Sequence, residues 1–244
     1  MRKVPRILVV IPEIGARRGG GILQVGRSVL RMLDAKQQQG GVECRILSLG
    51  TPEPDGESQS ICQAWGPRLQ CYGAGRMRFS ASCLAQMAAW ADVAVFTHLG
   101  LAALLPLLPG PLRPASLTLI YGLDVWRTLN GRHARAIRHS DLVVGISQYT
   151  IRRAREFNPW LDGVRHCPLG IREGLAEDGE AELRAALGFA PTCHDILVVG
   201  RMAKGEGQKG HRELIQAMTR VVREVPDARL IVAGSGDDVD TYRE

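Results

Sequence analysis

The feature that most constrains this chain is a repeated alternation of short, continuously apolar runs with longer amphipathic segments. The apolar runs predict strands at residues 6–11, 42–47, 68–72, 93–97, 116–121, 142–146 and 164–167. The segments between them predict helices at residues 22–36, 80–90, 99–105, 127–139 and 149–157. Strands that are apolar on both faces are typical of a parallel sheet covered by helices on its two sides. The sequence therefore predicts an α/β fold with a Rossmann-like, doubly wound parallel sheet.

The pattern starts again after a polar and acidic stretch at residues 172–182, which we interpret as a linker. The restarted pattern predicts helices at residues 180–187 and 211–225 and strands at residues 195–200 and 228–233. Gly188 is well placed to end the first of these helices.

These patterns place a first domain at residues 1–175 and a second Rossmann-like domain at residues 176–244. One βαβ unit cannot cover both faces of its own sheet, and domains usually need about 100 residues or more. We therefore expect the second domain to be only the first part of a larger one.

Composition excludes several classes of protein. Apolar residues make up 45% and charged residues 23% of the 244 residues, which is ordinary for a globular protein. No apolar run reaches the roughly 18 residues of a membrane-spanning helix. The six cysteines form no CxxC pair and the six histidines show no metal-ligand spacing, so we expect reduced thiols, no metal and no cofactor in a cytoplasmic protein.

The net charge of +6 has a local origin in arginines of the first two thirds of the chain. They are Arg76, Arg78, Arg127, Arg132, Arg135, Arg138, Arg152, Arg153 and Arg155. Such a cluster is either a solvated surface or a patch that faces anionic lipid or a phosphate-bearing substrate. Aromatic residues total only 5%, which argues against nucleic acid as a partner. Peripheral contact with the inner face of an anionic membrane stays open.

Several candidate site residues follow predicted strands of the first domain. Gly20 and Gly21 end a glycine run that opens the first helix, where backbone N–H groups suit an anion or a sugar hydroxyl. His98 ends the fourth strand and has either a structural or a catalytic role. Tyr121 and Asp124 follow the fifth strand, and Asp124 either binds hydroxyls or caps the next helix. In the same way, Ser147 is expected to cap the helix at residues 149–157.

The most informative segment runs from residue 199 to residue 211 and lies between a predicted strand and a predicted helix. Arg201, Lys209 and the helix start at Gly210 would converge on one point, which suits a diphosphate. Residues 205–210 also match GxGxxG and leave a dinucleotide reading open, but four residues separate the strand from the first glycine, which disfavours it.

This segment, together with Leu230–Asp237, resembles the start of the donor domain of family 4 glycosyltransferases. The glycine run, His98, the turn at residues 122–126 and the Pro168–Ile171 crossing agree in order. The resemblance implies the two-Rossmann-domain GT-B fold and retaining transfer of a hexose from a UDP- or GDP-sugar. The acceptor would be a saccharide or a lipid-linked molecule in polysaccharide or glycoconjugate biosynthesis.

The resemblance also implies roles for individual residues. Arg201 and Lys209 would bind the diphosphate and stabilise it as it leaves, with Gly20, Gly21 and Gly210 close to the donor. His98 would lie near the transferred sugar, and Asp124 and Tyr121 would lie on the acceptor side. Many relatives have histidine where this chain has Tyr121, and the paired glutamates of the family would lie beyond residue 244.

Three alternatives remain at this point: a catalytically inactive fragment, a GT-B sugar-nucleotide epimerase and an NAD-dependent oxidoreductase.

Overall fold

A computed structural model describes residues 4–15, 20–51, 56–170, 182, 184–185, 188, 194–204 and 209–242. The chain divides into two compact units, Met1–Gly170 and Ile171–Glu244, which we call the first and second units. The predicted helix at residues 180–187 and the glycines at positions 19, 205 and 207 lie largely or wholly outside the described residues.

The first unit contains one sheet of seven parallel strands in the order β3-β2-β1-β4-β5-β6-β7. The strands are β1 Arg6–Ile11, β2 Glu43–Ser48, β3 Leu69–Cys71, β4 Val93–Phe96, β5 Ala115–Ile120, β6 Leu142–Gly145 and β7 Arg165–His166. Val9 of β1 pairs with Ile46 of β2 on one side and with Val95 of β4 on the other. The predicted parallel sheet is therefore confirmed, with every strand of this unit within two residues of its expected bounds.

Helices connect these strands. They are α1 Gly21–Gln38, α2 Gly56–Trp65, α3 Arg76–Ala89, α4 Leu99–Ala102, α5 Gly122–Val125, α6 Gly131–Arg138 and α7 Gln148–Phe157. Ser147 caps α7 as expected, because its side chain accepts a hydrogen bond from the Thr150 N–H at 3.0 Å. None of the helices in the described ranges is long and apolar enough to cross a membrane.

One helix was missed, and another was predicted too long. The sequence pattern did not indicate α2, whose buried face includes the polar residue Ser58. The expected helix at residues 127–139 is wrong in its first part, since α6 begins only after Asn130. Buried Asn158 holds the segment before α6 out of helical conformation: its side chain accepts from the Leu129 N–H at 2.9 Å and donates to the Arg127 carbonyl at 3.0 Å.

The core covers both faces of the sheet, as parallel strands require. Successive β1 side chains alternate, so that Leu8 and Val10 join one apolar cluster while Val9 and Ile11 join another. Cys83 lies in the first cluster, where burial raises the pKa of its thiol to about 12 and keeps it protonated.

In the second unit, β8 (His194–Val199) and β9 (Ala228–Ala233) form a two-stranded parallel sheet. They are joined through α8 (His211–Glu224), the crossover helix predicted at residues 211–225. The register aligns Val199 with Ala233, so both strands end at the same edge.

A buried arginine ties the first helix to its surroundings. Arg27 of α1 is only 5% exposed, and its guanidinium donates to the Ile14 carbonyl at 2.9 Å and to Glu57 of α2 at 2.6 Å. Ile14 belongs to the loop between β1 and α1. Arg27 therefore fixes the loop that leads into the glycine run.

We expect Arg27→Ala to lower the free energy of unfolding of the first unit by about 3 kcal/mol, because it leaves buried polar groups without their partner. Arg31→Ala is the matched control: Arg31 pairs with the same Glu57 carboxylate but is 41% exposed, so its loss should cost less than about 1 kcal/mol. Urea titration followed by tryptophan fluorescence measures both, because all four tryptophans lie in this unit. Equal losses for the two variants would contradict the structural role of Arg27.

Candidate functional site

The site in the first unit lies at the carboxyl ends of β1 and β4. These strands are neighbours in the sheet, although β2 and β3 lie between them in the sequence. The reason is that β2 and β3 extend the sheet on one side of β1, whereas β4 to β7 extend it on the other side. The loops that leave two such strands turn to opposite faces and open a crevice, which is where α/β sheets bind ligands. His98 follows β4 at this place, and the loop that ends in Gly20 follows β1.

The two ring nitrogens of His98 have different environments. Its Nδ1 accepts a hydrogen bond from the Gly100 N–H at 3.0 Å and thereby caps α4. In the neutral ring this bond places the proton on Nε2. Nε2 lies 3.5 Å from Oδ2 of Asp124, and both side chains are about one third exposed or less.

Asp124 does not cap a helix, which answers one of the questions left open by the sequence. The residue at the cap position of α5 is Tyr121, and Asp124 lies within the first turn. Its Oδ2 is buried and accepts no hydrogen bond from the described residues. An N–H donor on His98 and a carboxylate acceptor on Asp124 form a pair suited to a hydroxyl, which donates to one and accepts from the other.

Two further polar atoms in this region are buried without a hydrogen-bond partner among the described residues: Oη of Tyr121 and Nε1 of Trp126. Burial, with a smaller contribution from the Asp124 carboxylate, raises the pKa of Tyr121 and keeps its phenol neutral. Buried polar groups of this kind are normally satisfied, so three orphan atoms close together along the chain indicate a place for a polar ligand or for water.

His133 of α6 belongs to the same neighbourhood, although nothing in the sequence pointed to it. Burial lowers its pKa, and the positive charge of Arg132 lowers it further. The Asp124 carboxylate acts in the opposite direction, while Arg127 and His98 add to the lowering. These interactions place His133 within electrostatic reach of the His98–Asp124 pair.

Gly20 and Gly21 lie at the amino end of α1. Gly20 is the cap residue, has an extended backbone and provides no side-chain hydrogen bond to the helix. A side chain at either position would meet no described atom within 4 Å. The helix start thus presents backbone N–H groups with positive partial charge at the open edge of the sheet.

The second unit places the other predicted site residues at the carboxyl end of β8. Arg201 lies two residues after the end of β8 and is exposed, and Lys209 is exposed before α8. Gly210 takes the left-handed conformation, with φ at 75°, and starts α8 without a side-chain cap. A methyl group on Gly200 would lie 3.7 Å from Cδ of Lys209, so the lysine stem reaches back to the strand end that carries Arg201.

The turn after β9 holds this loop in place through backbone hydrogen bonds. Met202 donates to the Ser235 carbonyl and Asp238 donates to the Met202 carbonyl, each at 3.0 Å. Gly234 and Gly236 make this approach feasible, because a Cβ at position 234 would lie 1.9 Å from the Gly200 oxygen and one at 236 would lie 1.7 Å from the Met202 oxygen. Both glycines fall in the Leu230–Asp237 segment that carries the family resemblance, but no sequence pattern indicated their role in shaping the loop.

His211, the first residue of α8, is 2% exposed, and its Nε2 has no hydrogen-bond partner among the described residues. Its ring packs 5.6 Å from that of Tyr242. Within the described part of the chain, no three His, Cys, Asp or Glu side chains come together in a way that could hold a metal ion.

No protein-family profile matches the chain. A segment of 108 residues, 42% of the chain, is 34% identical to a GDP-mannose-dependent monoacylated alpha-(1-6)-phosphatidylinositol monomannoside mannosyltransferase from Corynebacterium glutamicum, of which it covers 27%.

Solved structures cover almost the whole chain. HepE from Anabaena in complex with UDP-glucose matches 97% of the chain at 13% identity with a TM-score of 0.67. The lipopolysaccharide outer core galactosyltransferase WaaB matches 98% of the chain at 14% identity with a TM-score of 0.58. A UDP-N-acetylglucosamine 2-epimerase from Rickettsia bellii matches 99% of the chain at 10% identity with a TM-score of 0.51.

The chain spans about two thirds of the length of these structures, 64% of HepE and 63% of WaaB. The match over nearly all of the chain confirms the expected α/β class and GT-B-like fold.

The pKa of His133 gives a test of the first-unit site. We expect Asp124→Asn to lower this pKa further, because it removes the one charge that raises it, and Arg132→Gln to raise it. NMR titration of the ring protons, assigned with His133→Gln, measures both. A lowered pKa means that the unfolded chain binds more protons, so the contribution of His133 to stability is complete above the ordinary histidine pKa and declines as the pH falls. Shifts in the same direction for both variants would contradict the proximity of the three side chains.

The glycine turn gives a test of the second-unit site. We expect Gly236→Ala to raise hydrogen exchange across residues 200–204, because the new Cβ would displace the Met202 carbonyl and break its hydrogen bond from Asp238. Ser235→Ala is the control, since it keeps the backbone bonds and changes only an exposed side chain. Exchange measured by mass spectrometry should separate the two variants. Unchanged protection in Gly236→Ala would show that the loop is held in some other way.

Proposed function

We propose that this chain is part of a retaining glycosyltransferase that transfers a hexose from a UDP- or GDP-sugar to a saccharide or lipid-linked acceptor. The observation that carries the proposal is the loop after β8, where exposed Arg201, the stem of Lys209 and the uncapped start of α8 share one strand end. A diphosphate needs fixed positive charge on both of its phosphates, and this arrangement supplies two cations and a helix dipole.

In this proposal, Arg201 and Lys209 bind the donor diphosphate and stabilise the charge that develops when the sugar–phosphate bond breaks. Gly210 lets the backbone approach the phosphates. The backbone N–H groups at Gly20 and Gly21 are likewise suited to an anionic group of the donor. The leaving phosphate accepts the proton of the acceptor hydroxyl. No metal ion and no cofactor takes part in this scheme, in which positioning and electrostatics supply the catalysis.

The first unit would bind the acceptor. His98 and Asp124 offer one donor and one acceptor to a sugar hydroxyl, and the buried Tyr121 hydroxyl is within electrostatic reach of Asp124. Tyr121 takes the place of a histidine found in many family 4 enzymes, and we infer that it contributes to acceptor choice. The relative from Corynebacterium glutamicum acts on a phosphatidylinositol mannoside, which supports a lipid-linked acceptor.

The protein would work in the cytoplasm, in peripheral contact with an anionic membrane, as part of polysaccharide or glycoconjugate biosynthesis. The high positive charge of the first unit supports this location.

We expect Arg201→Gln combined with Lys209→Gln to weaken binding of UDP and GDP about a hundredfold, because two charge-assisted hydrogen bonds are lost. Lys204→Gln is the matched control: it removes a cation from the same loop at an exposed position whose backbone N–H, not its amine, is held by Asp237. Calorimetric titration with UDP and with GDP measures the affinities. Equal affinities in the two variants would refute the assignment of the diphosphate site.

The epimerase alternative is favoured by one observation, the match to the Rickettsia bellii enzyme. NMR of UDP-N-acetylglucosamine incubated with the protein alone distinguishes the two functions, since an epimerase converts the donor without an acceptor. A transferase releases UDP or GDP only as the sugar moves to an acceptor or to water. Nucleotide binding without either reaction would support the catalytically inactive reading, and binding of NADH in a fluorescence titration would favour the oxidoreductase.

A further inference from the structure

A cavity lies on the first unit, between the segment that follows α4 and the helix α6. It has a volume of about 290 Å³. We call it the α4–α6 groove, and its lining residues are Ala103, Leu104, Pro106, Leu107, Gly131, Arg132 and Arg135. One wall is therefore apolar and the other is cationic.

The groove has the composition of an amphiphile-binding surface. Leu107 is 64% exposed at its apolar wall, so an apolar part of an occupant could cover it. Neither the stretch from residue 99 to residue 112 nor α6 contains a carboxylate. Within the described residues, the side chains of Arg132 and Arg135 make no hydrogen bond or ion pair.

The surrounding charge favours an anionic occupant. Residues 127–165 contain eight arginines against three carboxylates, so this part of the chain carries nearly all of the net charge of +6. Some of these arginines are engaged elsewhere, for example Arg138 on the ring of Trp160 and Arg153 with Glu156. Arg132 and Arg135 instead face the groove.

We propose that the α4–α6 groove binds the headgroup of an anionic phospholipid at a membrane surface. The phosphate lies between Arg132 and Arg135, and the start of the acyl chains lies on Leu104 and Leu107. The groove has a volume of about 290 Å³, whereas pockets that enclose a whole drug-sized ligand have volumes of roughly 300 Å³ or more. The groove therefore suits the glycerol phosphate part of a lipid rather than the whole lipid.

The groove also borders the candidate acceptor site. Arg132 lines the groove, and the next residue, His133, interacts electrostatically with Asp124 and His98. A lipid held in the groove would bring saccharide on its headgroup toward the His98–Asp124 pair. This last step rests on the proposed transferase function, whereas lipid binding itself does not.

Flotation with phosphatidylglycerol–phosphatidylcholine vesicles tests the groove without any donor or transfer reaction. We expect Arg132→Gln combined with Arg135→Gln to weaken partitioning about thirtyfold, because each cationic side chain at an anionic surface contributes about fivefold. Arg220→Gln combined with Arg223→Gln removes the same charge from exposed positions on α8 and should weaken it much less. Leu107→Ser should weaken it without any change in charge.

Thermal unfolding followed by tryptophan fluorescence confirms that each variant is folded. An equal loss of vesicle partitioning in the two double-arginine variants would overturn the proposed headgroup site, because general electrostatic attraction would then account for binding. Binding of the wild-type protein to pure phosphatidylcholine at the same strength would overturn it as well. Glycerol 3-phosphate should release the protein from the vesicles more effectively than sodium chloride at equal ionic strength. If the two release the protein equally, a headgroup site is again contradicted.

Discussion

The parallel pairing of β1 with both β2 and β4 is the constraint on which the rest of the first unit depends. Because β1 has neighbours on both sides, the chain must grow outward to β3, return across the sheet and grow outward again from β4. Helices that follow β1 and β4 then cover opposite faces: Leu30 of α1 belongs to the same apolar cluster as Val9, whereas Leu99 of α4 belongs to the cluster that contains Leu8. This is the arrangement at which α/β sheets form a ligand crevice, and His98 lies at this point of the sheet.

Most of this architecture is predictable from the sequence, because strands buried on both faces have no polar side to obscure them. The expected bounds of β1 and β9 match the structure. Helices were harder to predict where the core accepts polar residues. α2 buries Ser58, so its apolar spacing is incomplete. The segment before α6 is not helical because Asn158, about 30 residues later, binds its backbone. No local pattern contains that long-range contact.

In the candidate site, too, residues marked by the local sequence could be predicted, whereas contacts between distant parts of the chain could not. A strand end followed by histidine or arginine marked His98 and Arg201 directly, because parallel strands present their carboxyl ends at one edge. The partner of His98 was not predictable, since Asp124 lies on a different strand connection and also fits a capping role. Nothing in the sequence indicated His133, because a histidine in an arginine-rich helix cannot be told from an ordinary solvent-exposed residue by its sequence alone. Only the fold, which brings the charges of Asp124 and His98 near α6, reveals the environment of His133.

The two candidate sites hold their functional groups in place in different ways, and the difference fits the ligands proposed for them. In the second unit the backbone is fixed first: Gly234 and Gly236 admit the loop after β8 to within hydrogen-bonding distance, and Gly210 sets the start of α8. The long side chains of Arg201 and Lys209 extend from this rigid base, which suits a diphosphate whose charge is spread over many oxygens. In the first unit the side chains themselves are directed. The Gly100 N–H selects the tautomer of His98, and a hydroxyl with one proton and two lone pairs requires that directionality. Fixed charge and directed hydrogen bonds are thus supplied by separate units, each built from its own strand ends.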